Sequence, residues 1–194
     1  MSSVRSSRFA FAAAGLCALA FTGVASADIF VYTAALNGAN EFPPVVTPGN
    51  GTSTVTIDTD LNTMRVQAMF QDLIGSTTAS HIHAPTAVPF TGTVGVATPT
   101  PTFPGFPSGV TSGSYDMTFD MTLASSYNAA FITNNGGTVA SARSVLFGAF
   151  ADGKAYLNIH TTFVGSGEIR GFYVPAPAGL GLLAGMGLLA RRRR

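Results

Sequence analysis

The side chains best suited to chemistry in this sequence are its three histidines. His81 and His83 are separated by one residue, and His160 lies far along the chain. In an extended strand, side chains two positions apart share a face about 7 Å apart, so we expect His81 and His83 on one face and Ile82 on the other. Three imidazoles suit copper or zinc and leave a fourth position for water, whose lowered pKa would permit catalysis. The sequence therefore predicts a copper or zinc site of His81, His83 and His160.

The second histidine segment also alternates. Tyr156, Asn158 and His160 share one strand face, while Leu157 and Ile159 point to the core. This pattern supports another interpretation, in which the histidines hydrogen-bond to Asn158, Tyr156 or the backbone and only fix strand register. Both interpretations stay open from sequence alone.

Three charged side chains form a second candidate group. Glu168 and Arg170 share a strand face by their period of two, and Glu41 precedes the turn at Pro43 and Pro44. Glu41 and Arg170 are predicted to form a structural ion pair. The alternative is a carboxylate pair of Glu41 and Glu168 acting on extracellular polysaccharide, as in glycosidases. The turn beside Glu41 favours the structural interpretation.

Composition excludes several other classes of function. The sequence has no G-x-S-x-G elbow, which argues against a serine hydrolase of that type. Its one cysteine, Cys17, lies in the N-terminal leader, which argues against a cysteine protease. Residues 28–174 carry four basic and nine acidic side chains, a net charge of −5, and the basic residues are scattered. Nucleic acid is therefore not an expected partner, because phosphate binding needs a basic patch.

Apolar and polar residues alternate through most of the chain, which predicts strands. The predicted strands are Ile29–Leu36, Ser53–Asp58, Met64–Gln71, Ala79–Ala84, Thr93–Ala97, Tyr115–Thr122, Ala155–Phe163 and Glu168–Val174. Helical spacing predicts short helices at Leu123–Asn134 and Val139–Phe150. Four prolines predict an irregular surface loop over 98–113, a candidate ligand-facing surface. The fold class is thus mainly all-β, a Greek-key β-sandwich or flattened barrel with one or two short helices.

The N-terminal region is typical of a signal peptide. A positive segment with Arg5 and Arg8 precedes the apolar run Phe9–Phe21, and a small-residue cleavage site places the cut between Ala27 and Asp28. We expect residues 1–27 to be removed by signal peptidase after export. The mature domain, residues 28–174, then contains no cysteine.

The C-terminal segment, residues 175–194, combines a Pro-x-Pro motif, a short apolar run and four arginines. It resembles the PEP-CTERM sorting signal, with Ala176 where glutamate is usual. The resemblance implies transient membrane insertion, removal by an exosortase-type protease and delivery to the cell surface or extracellular matrix. The alternative is a plain C-terminal anchor. The residues that carry this signal are Pro175, Ala176, Pro177, Arg191, Arg192, Arg193 and Arg194.

Four short motifs in order resemble those of CHRD domains over residues 31–173. They are Leu36–Gly38 with Glu41–Val45, Ser80–His83, Ala155–Thr161 and Gly167–Gly171. The resemblance implies a sandwich similar in outline to Cu/Zn superoxide dismutase, but the chain has no fourth histidine for that family's bridged metal pair.

These observations predict an exported, non-enzymatic binding or scaffolding module that interacts with extracellular polysaccharide or surface proteins. A metal-dependent enzyme centred on the three histidines is one alternative. A purely structural matrix protein is the other.

Overall fold

The structure is a computed structural model that describes residues 28–176. The predicted signal peptide, including Ala27 of its cleavage site, lies outside the described residues. Of the predicted sorting segment, Pro175 and Ala176 are described, whereas Pro177 and the four terminal arginines are not. Among residues 28–176, no helix is long and apolar enough to cross a membrane.

Eight antiparallel strands form one sheet, which curls into a half-barrel. Their spatial order is β4-β6-β7-β1-β2-β3-β5, and β8 pairs with β1 beside β7. This arrangement confirms the prediction of a mainly β sandwich or flattened barrel. The strands are β1 Ile29–Asn37, β2 Asn50–Asp58, β3 Thr63–Gln71, β4 Thr77–His83, β5 Gly113–Asp120, β6 Tyr156–Thr161, β7 Ile169–Phe172 and β8 Val174–Pro175.

Alternation along the strands builds the hydrophobic core on the inner face of the sheet. In β3, Met64, Val66, Ala68 and Phe70 are all buried, while the intervening residues are half-buried or exposed. A strand points successive side chains to opposite faces, so each apolar set covers the same side as its neighbours. Their burial removes apolar surface from water and provides the main driving force for folding.

Two helices close the inner face. The second predicted helix is confirmed as α2, Val139–Ala151, which begins with a capping box between Thr138 and Ser141. Its Phe150 ring lies 5.3 Å from the Tyr32 ring and 5.0 Å from the Tyr173 ring.

The first predicted helix begins later than expected. A 3-10 turn occupies Ala124–Ser126, and α1 spans only Ala129–Asn134. The Asn128 side chain accepts a hydrogen bond from the Ala130 amide, so this residue is the N-cap and the helix starts after it.

The strand predicted at Thr93–Ala97 is wrong. Only an isolated bridge joins Val96 to His83. Beyond it, the Thr98 hydroxyl accepts the hydrogen bond of the Ile82 amide, so a side chain replaces the next backbone partner and no ladder forms.

The proline-rich loop has no regular secondary structure, as predicted. It nevertheless buries Phe103 and Phe106 in the core. The Phe103 amide donates to the Ser80 carbonyl, and the Gly109 amide donates to the Thr77 carbonyl. The loop therefore covers the outer edge of β4, which would otherwise expose unpaired backbone groups.

Candidate metal centre

The three histidines lie together on the outer face of the sheet. His81 and His83 belong to β4, which pairs with β6, the strand that carries His160. The ring centroids are 5.9 Å apart for His81 and His83, 5.2 Å for His81 and His160, and 5.9 Å for His83 and His160. The residues between them, Ile82 and Ile159, are in the core, as the alternation requires.

Each imidazole holds a backbone carbonyl with one ring nitrogen. His81 Nε2 lies 2.6 Å from the Pro101 oxygen, and His83 Nδ1 lies 2.8 Å from the Val94 oxygen. His160 Nδ1 lies 3.0 Å from the oxygen of Gly165, in the hairpin between β6 and β7. A carbonyl oxygen only accepts, so each of these nitrogens carries a hydrogen and donates. The hydrogen bonds thereby fix the tautomer and ring orientation of all three side chains.

The other ring nitrogen of each histidine has no partner. His81 Nδ1, His83 Nε2 and His160 Nε2 are buried and make no hydrogen bond. In the neutral tautomer each is an unprotonated nitrogen with a free lone pair. Buried polar atoms in proteins are nearly always satisfied, so three unsatisfied lone pairs on neighbouring side chains call for an explanation.

The spacing of these histidines fits a shared metal ion. One ring nitrogen of each residue lies within 4.8 Å of those of the other two. Zn–N bonds of 2.0–2.1 Å put tetrahedral ligand atoms about 3.4 Å apart, so the nitrogens would approach one another by up to about 1.4 Å on binding an ion. Histidines that bind metal ions usually coordinate through one ring nitrogen and donate the N–H of the other to a carboxylate, a carbonyl or water, as these three donate to carbonyls.

Burial keeps the imidazoles neutral. His81 is 6% exposed and His83 is 8% exposed. Burial lowers the pKa of His83 to about 4, because the protonated ring would be a positive charge held away from water. The nearby His81, His160 and Arg170 lower it further. Burial also lowers the pKa of His81 and of His160. All three are therefore in the unprotonated form that binds metal.

Two irregular segments complete the centre from outside. The first, which we call the cover loop (residues 86–102), supplies the carbonyls that hold His81 and His83. The second, which we call the hairpin turn (residues 162–168), supplies the carbonyl that holds His160. Both are loops between elements; the cover loop reaches His81 from 20 residues away, and the hairpin turn reaches His160 from five residues away.

Aromatic stacking orients one of the ligands further. The Tyr156 ring stacks on the His83 ring with centroids 4.9 Å apart and planes 3° apart. The guanidinium of Arg170 lies 4.8 Å from the Tyr156 centroid on β6. Tyr156 therefore contacts a histidine by stacking, whereas the sequence suggested a hydrogen bond.

Asn158 lies on the same face, directly opposite His81 in the β4–β6 register and two residues before His160. It is 4% exposed. Its Nδ2 donates to the Ser166 oxygen at 3.3 Å, while its Oδ1 is buried and has no partner. Asn158 thus adds a fourth unsatisfied acceptor to this face.

The predicted ion pair is present and buried. Arg170 Nε lies 3.7 Å from Glu41 Oε2, and both side chains are at most 6% exposed. Arg170 also donates to the carbonyls of Asn40 and Gly92. Burial raises the pKa of Glu41 to about 7, although the charge of Arg170 opposes the shift. Arg170 therefore ties β7 to the cover loop and to the turn after β1.

Glu168 is fully occupied by hydrogen bonds. Its carboxylate accepts from the hydroxyls of Thr47 and Thr161 and from the amides of Ile74 and Gly75, at 2.6–3.0 Å. Burial alone would raise its pKa, but these four donors outweigh that effect and lower it. Four donors use the acceptor capacity of both oxygens, which favours a structural role over acid–base work with Glu41.

The carbonyls of Val94, Pro101 and the hairpin turn were missed by sequence reasoning. Every residue has a backbone carbonyl, so residue type carries no signal for this role. A weak pointer was available in the irregular, proline-rich sequence beside the histidine strand, because such loops cover sheet edges.

Comparison with known proteins identifies the family. The CHRD domain model matches residues 32–173, which is most of the chain and nearly all of the described sheet. No curated protein and no solved structure shows a significant match. The matched range includes all three histidines, Asn158 and the Glu41–Arg170 pair, and on this match the chain belongs to the CHRD domain family.

Proposed function

We propose that this protein is an exported, non-enzymatic metal-binding module in which His81, His83 and His160 hold a copper or zinc ion. At the family level, a CHRD domain indicates an extracellular binding module rather than an enzyme. The metal is the ligand that the side chains of this chain support best.

A single observation carries the proposal. Three imidazoles, two buried and one half-buried, each donate one N–H to a carbonyl and leave the other nitrogen unpartnered, and one ring nitrogen of each lies within 4.8 Å of those of the other two. If the histidines were only structural, each free lone pair would be a buried group lacking a donor, at a cost of about 1–3 kcal/mol apiece. A metal ion satisfies all three at once.

The donor set selects the kind of metal. Imidazole nitrogen suits zinc and copper, whereas calcium and magnesium prefer oxygen ligands. Three protein ligands leave one coordination position open, and His160 is the most exposed of the three, so its side of the cluster is the route for exchange with solvent.

Localisation belongs to the same proposal. CHRD domains are typically extracellular. The signal-peptide pattern of residues 1–27 and the sorting pattern of residues 175–194 support export, exosortase-type processing and display at the cell surface or in the matrix. There the metal centre would serve binding or scaffolding of polysaccharide or surface proteins.

Metal binding by the purified full chain tests the proposal. We expect calorimetry and elemental analysis to show about one Cu²⁺ or Zn²⁺ per chain. Loss of a group that only hydrogen-bonds to a metal ligand typically costs about 10- to 100-fold in affinity. Removing a ligand itself, by His81→Ala, His83→Ala or His160→Ala, should therefore cost more than about 100-fold.

Gln67→Ala, on the outer face of β3 at the other end of the sheet, is the control and should bind like the wild type. A wild-type chain that folds normally yet binds neither metal would refute the proposal. Equal affinity in all four variants would place any bound metal elsewhere.

A further inference from the structure

All five unpartnered buried side-chain polar atoms in residues 28–176 belong to one region of the outer face. Three are the free histidine nitrogens, and the others are Asn158 Oδ1 and Glu41 Oε1. Each is a lone-pair acceptor in the neutral histidine, amide or carboxylate form. By contrast, the histidine N–H groups, the Asn158 amide and Arg170 all donate to backbone carbonyls. The histidines and Asn158 thus have spare acceptors and no unpartnered buried donor, whereas Glu41, with its pKa raised to about 7, is partly protonated at neutral pH.

Asn158 brings its acceptor next to the histidines. It is the cross-strand partner of His81, and directly opposed side chains have Cβ atoms about 4.5–5.5 Å apart. It also shares the β6 face with His160, two residues on. Both Asn158 and His160 contact carbonyls of the hairpin turn, so the amide and the ring approach the same segment.

The acceptor is also fixed in orientation. The Nδ2 group donates to the Ser166 carbonyl, and this bond identifies the other, unpartnered amide atom as the oxygen Oδ1. Gly167 packs so closely that a Cβ there would lie 2.2 Å from Oδ1. The side-chain amide of Asn158 therefore packs against the backbone of the hairpin turn, the segment whose carbonyl also accepts from His160.

We propose that the open coordination position at the three histidines is specific for a ligand that donates a hydrogen bond, such as water or an alcohol, over an aprotic anion, and that Asn158 Oδ1 accepts that bond. This inference rests on the proposed metal site. An anion would find no free donor on the histidines or on Asn158 to stabilise it and would be repelled by the lone pairs of the Asn158 oxygen. A protic oxygen ligand satisfies the metal and the amide oxygen together.

Azide, a linear anion with no hydrogen to donate, tests the proposal on the full chain loaded with whichever of Cu²⁺ or Zn²⁺ it binds. Calorimetry measures metal affinity first and azide affinity second. The variants are Asn158→Leu, which keeps the side-chain shape, and Asn158→Ala, which covers the case where leucine impairs folding. Asn134→Leu, at an exposed position of α1, is the matched control.

We expect both Asn158 variants to bind metal within a few-fold of the wild type and to bind azide about three- to tenfold more tightly, the size of one lost hydrogen bond to the competing water. The control should match the wild type in both its metal affinity and its azide affinity.

Unchanged azide affinity in the metal-loaded Asn158 variants would overturn the proposal while leaving the metal site intact. A loss of metal affinity above 100-fold in both variants would also overturn it, because Asn158 would then be a direct ligand. Failure of the wild type to bind metal would refute the proposed function itself and appears in the first measurement.

Discussion

At the scale of single residues, the environment of each imidazole determines what it can bind. A histidine that donates one N–H to a carbonyl has a lone pair on its other nitrogen, and burial keeps that lone pair unprotonated. His83 shows the combination most clearly, because it is held by Val94, stacked on Tyr156 and 8% exposed. Such a residue presents an oriented, unprotonated nitrogen that would suit the proposed metal ion.

The lowered histidine pKa values predict how the metal-free protein responds to acid. The ordinary histidine pKa is about 6.5, whereas that of folded His83 is about 4. Between these pH values the unfolded chain binds protons that the folded chain excludes. Stability from this group is therefore full above about pH 6.5 and falls as pH drops toward 4. His81, His160 and Glu168 shift in the same direction, while the raised pKa of Glu41 opposes them.

Urea unfolding in the presence of chelator, from pH 7.5 to 4, measures this dependence. The control is His83→Asn, whose amide can still donate to the Val94 carbonyl but cannot be protonated. We expect its stability to decline less steeply with acid than that of the wild type. If the free energy of unfolding depended on pH identically in the variant and the wild type, the pKa of His83 would not differ between the folded and unfolded chains, and the prediction would be wrong.

At the scale of elements, the strands carry the three histidines and two irregular segments hold their rings in place. The hairpin turn is the tighter of the two. Gly167 has φ +133°, a conformation that residues with a side chain rarely adopt, and a Cβ there would lie 2.2–2.7 Å from three atoms of Asn158. The turn therefore depends on glycine at this position for both backbone and packing reasons.

Gly167→Ala is accordingly expected to destabilise the fold by roughly 2–4 kcal/mol, from backbone strain and overpacking together. It should also weaken metal binding, since the same turn holds His160. Gly165→Ala is a matched control in the same turn, because a Cβ at that site has no neighbour within 4 Å. Chemical denaturation measures the stability of both variants, and calorimetry measures their metal affinity. Equal losses of stability and affinity in Gly167→Ala and Gly165→Ala would contradict the prediction.

Alternation of apolar and polar residues predicted most strands, because successive residues of a strand face opposite sides of the sheet. The buried face can therefore be read from neighbouring residues alone. It failed at Thr93–Ala97, where tertiary hydrogen bonds from Thr98 and the cover loop replace a ladder. The same reasoning placed His81 and His83 on one face. It could not reveal which ring nitrogens are free, because that depends on carbonyls of Val94 and Pro101, which lie 11 and 20 residues away.

At the scale of the whole molecule, the two faces of the sheet have different tasks. The inner face carries the apolar core with α2, whereas the outer face of β4, β6 and β7 carries the polar cluster. The cover loop joins that cluster through His81, His83 and Arg170, and the hairpin turn joins it through His160. A bound ion would therefore cross-link two strands and, through the carbonyls, two loops at one end of the sheet.

Metal binding should for this reason stabilise the entire domain. A ligand that binds only the folded state at 100 times its Kd adds about 2.7 kcal/mol, and in a domain near 150 residues each kcal/mol raises the melting temperature by roughly 2–4 °C. We expect saturating Zn²⁺ or Cu²⁺ to raise the melting temperature by about 5–10 °C and chelator to reverse the change.

The control is His83→Asn. Its amide can keep the contact with the Val94 carbonyl, but it lacks the imidazole nitrogen proposed to bind the ion, so its melting temperature should respond little to metal. Because the ion joins β4 to β6, hydrogen exchange by local opening should slow at the edge of β4 and in both loops by more than global stabilisation slows it in β2 and β3. An equal gain of protection over the whole sheet, or a full thermal response in His83→Asn, would contradict a centre at the three histidines.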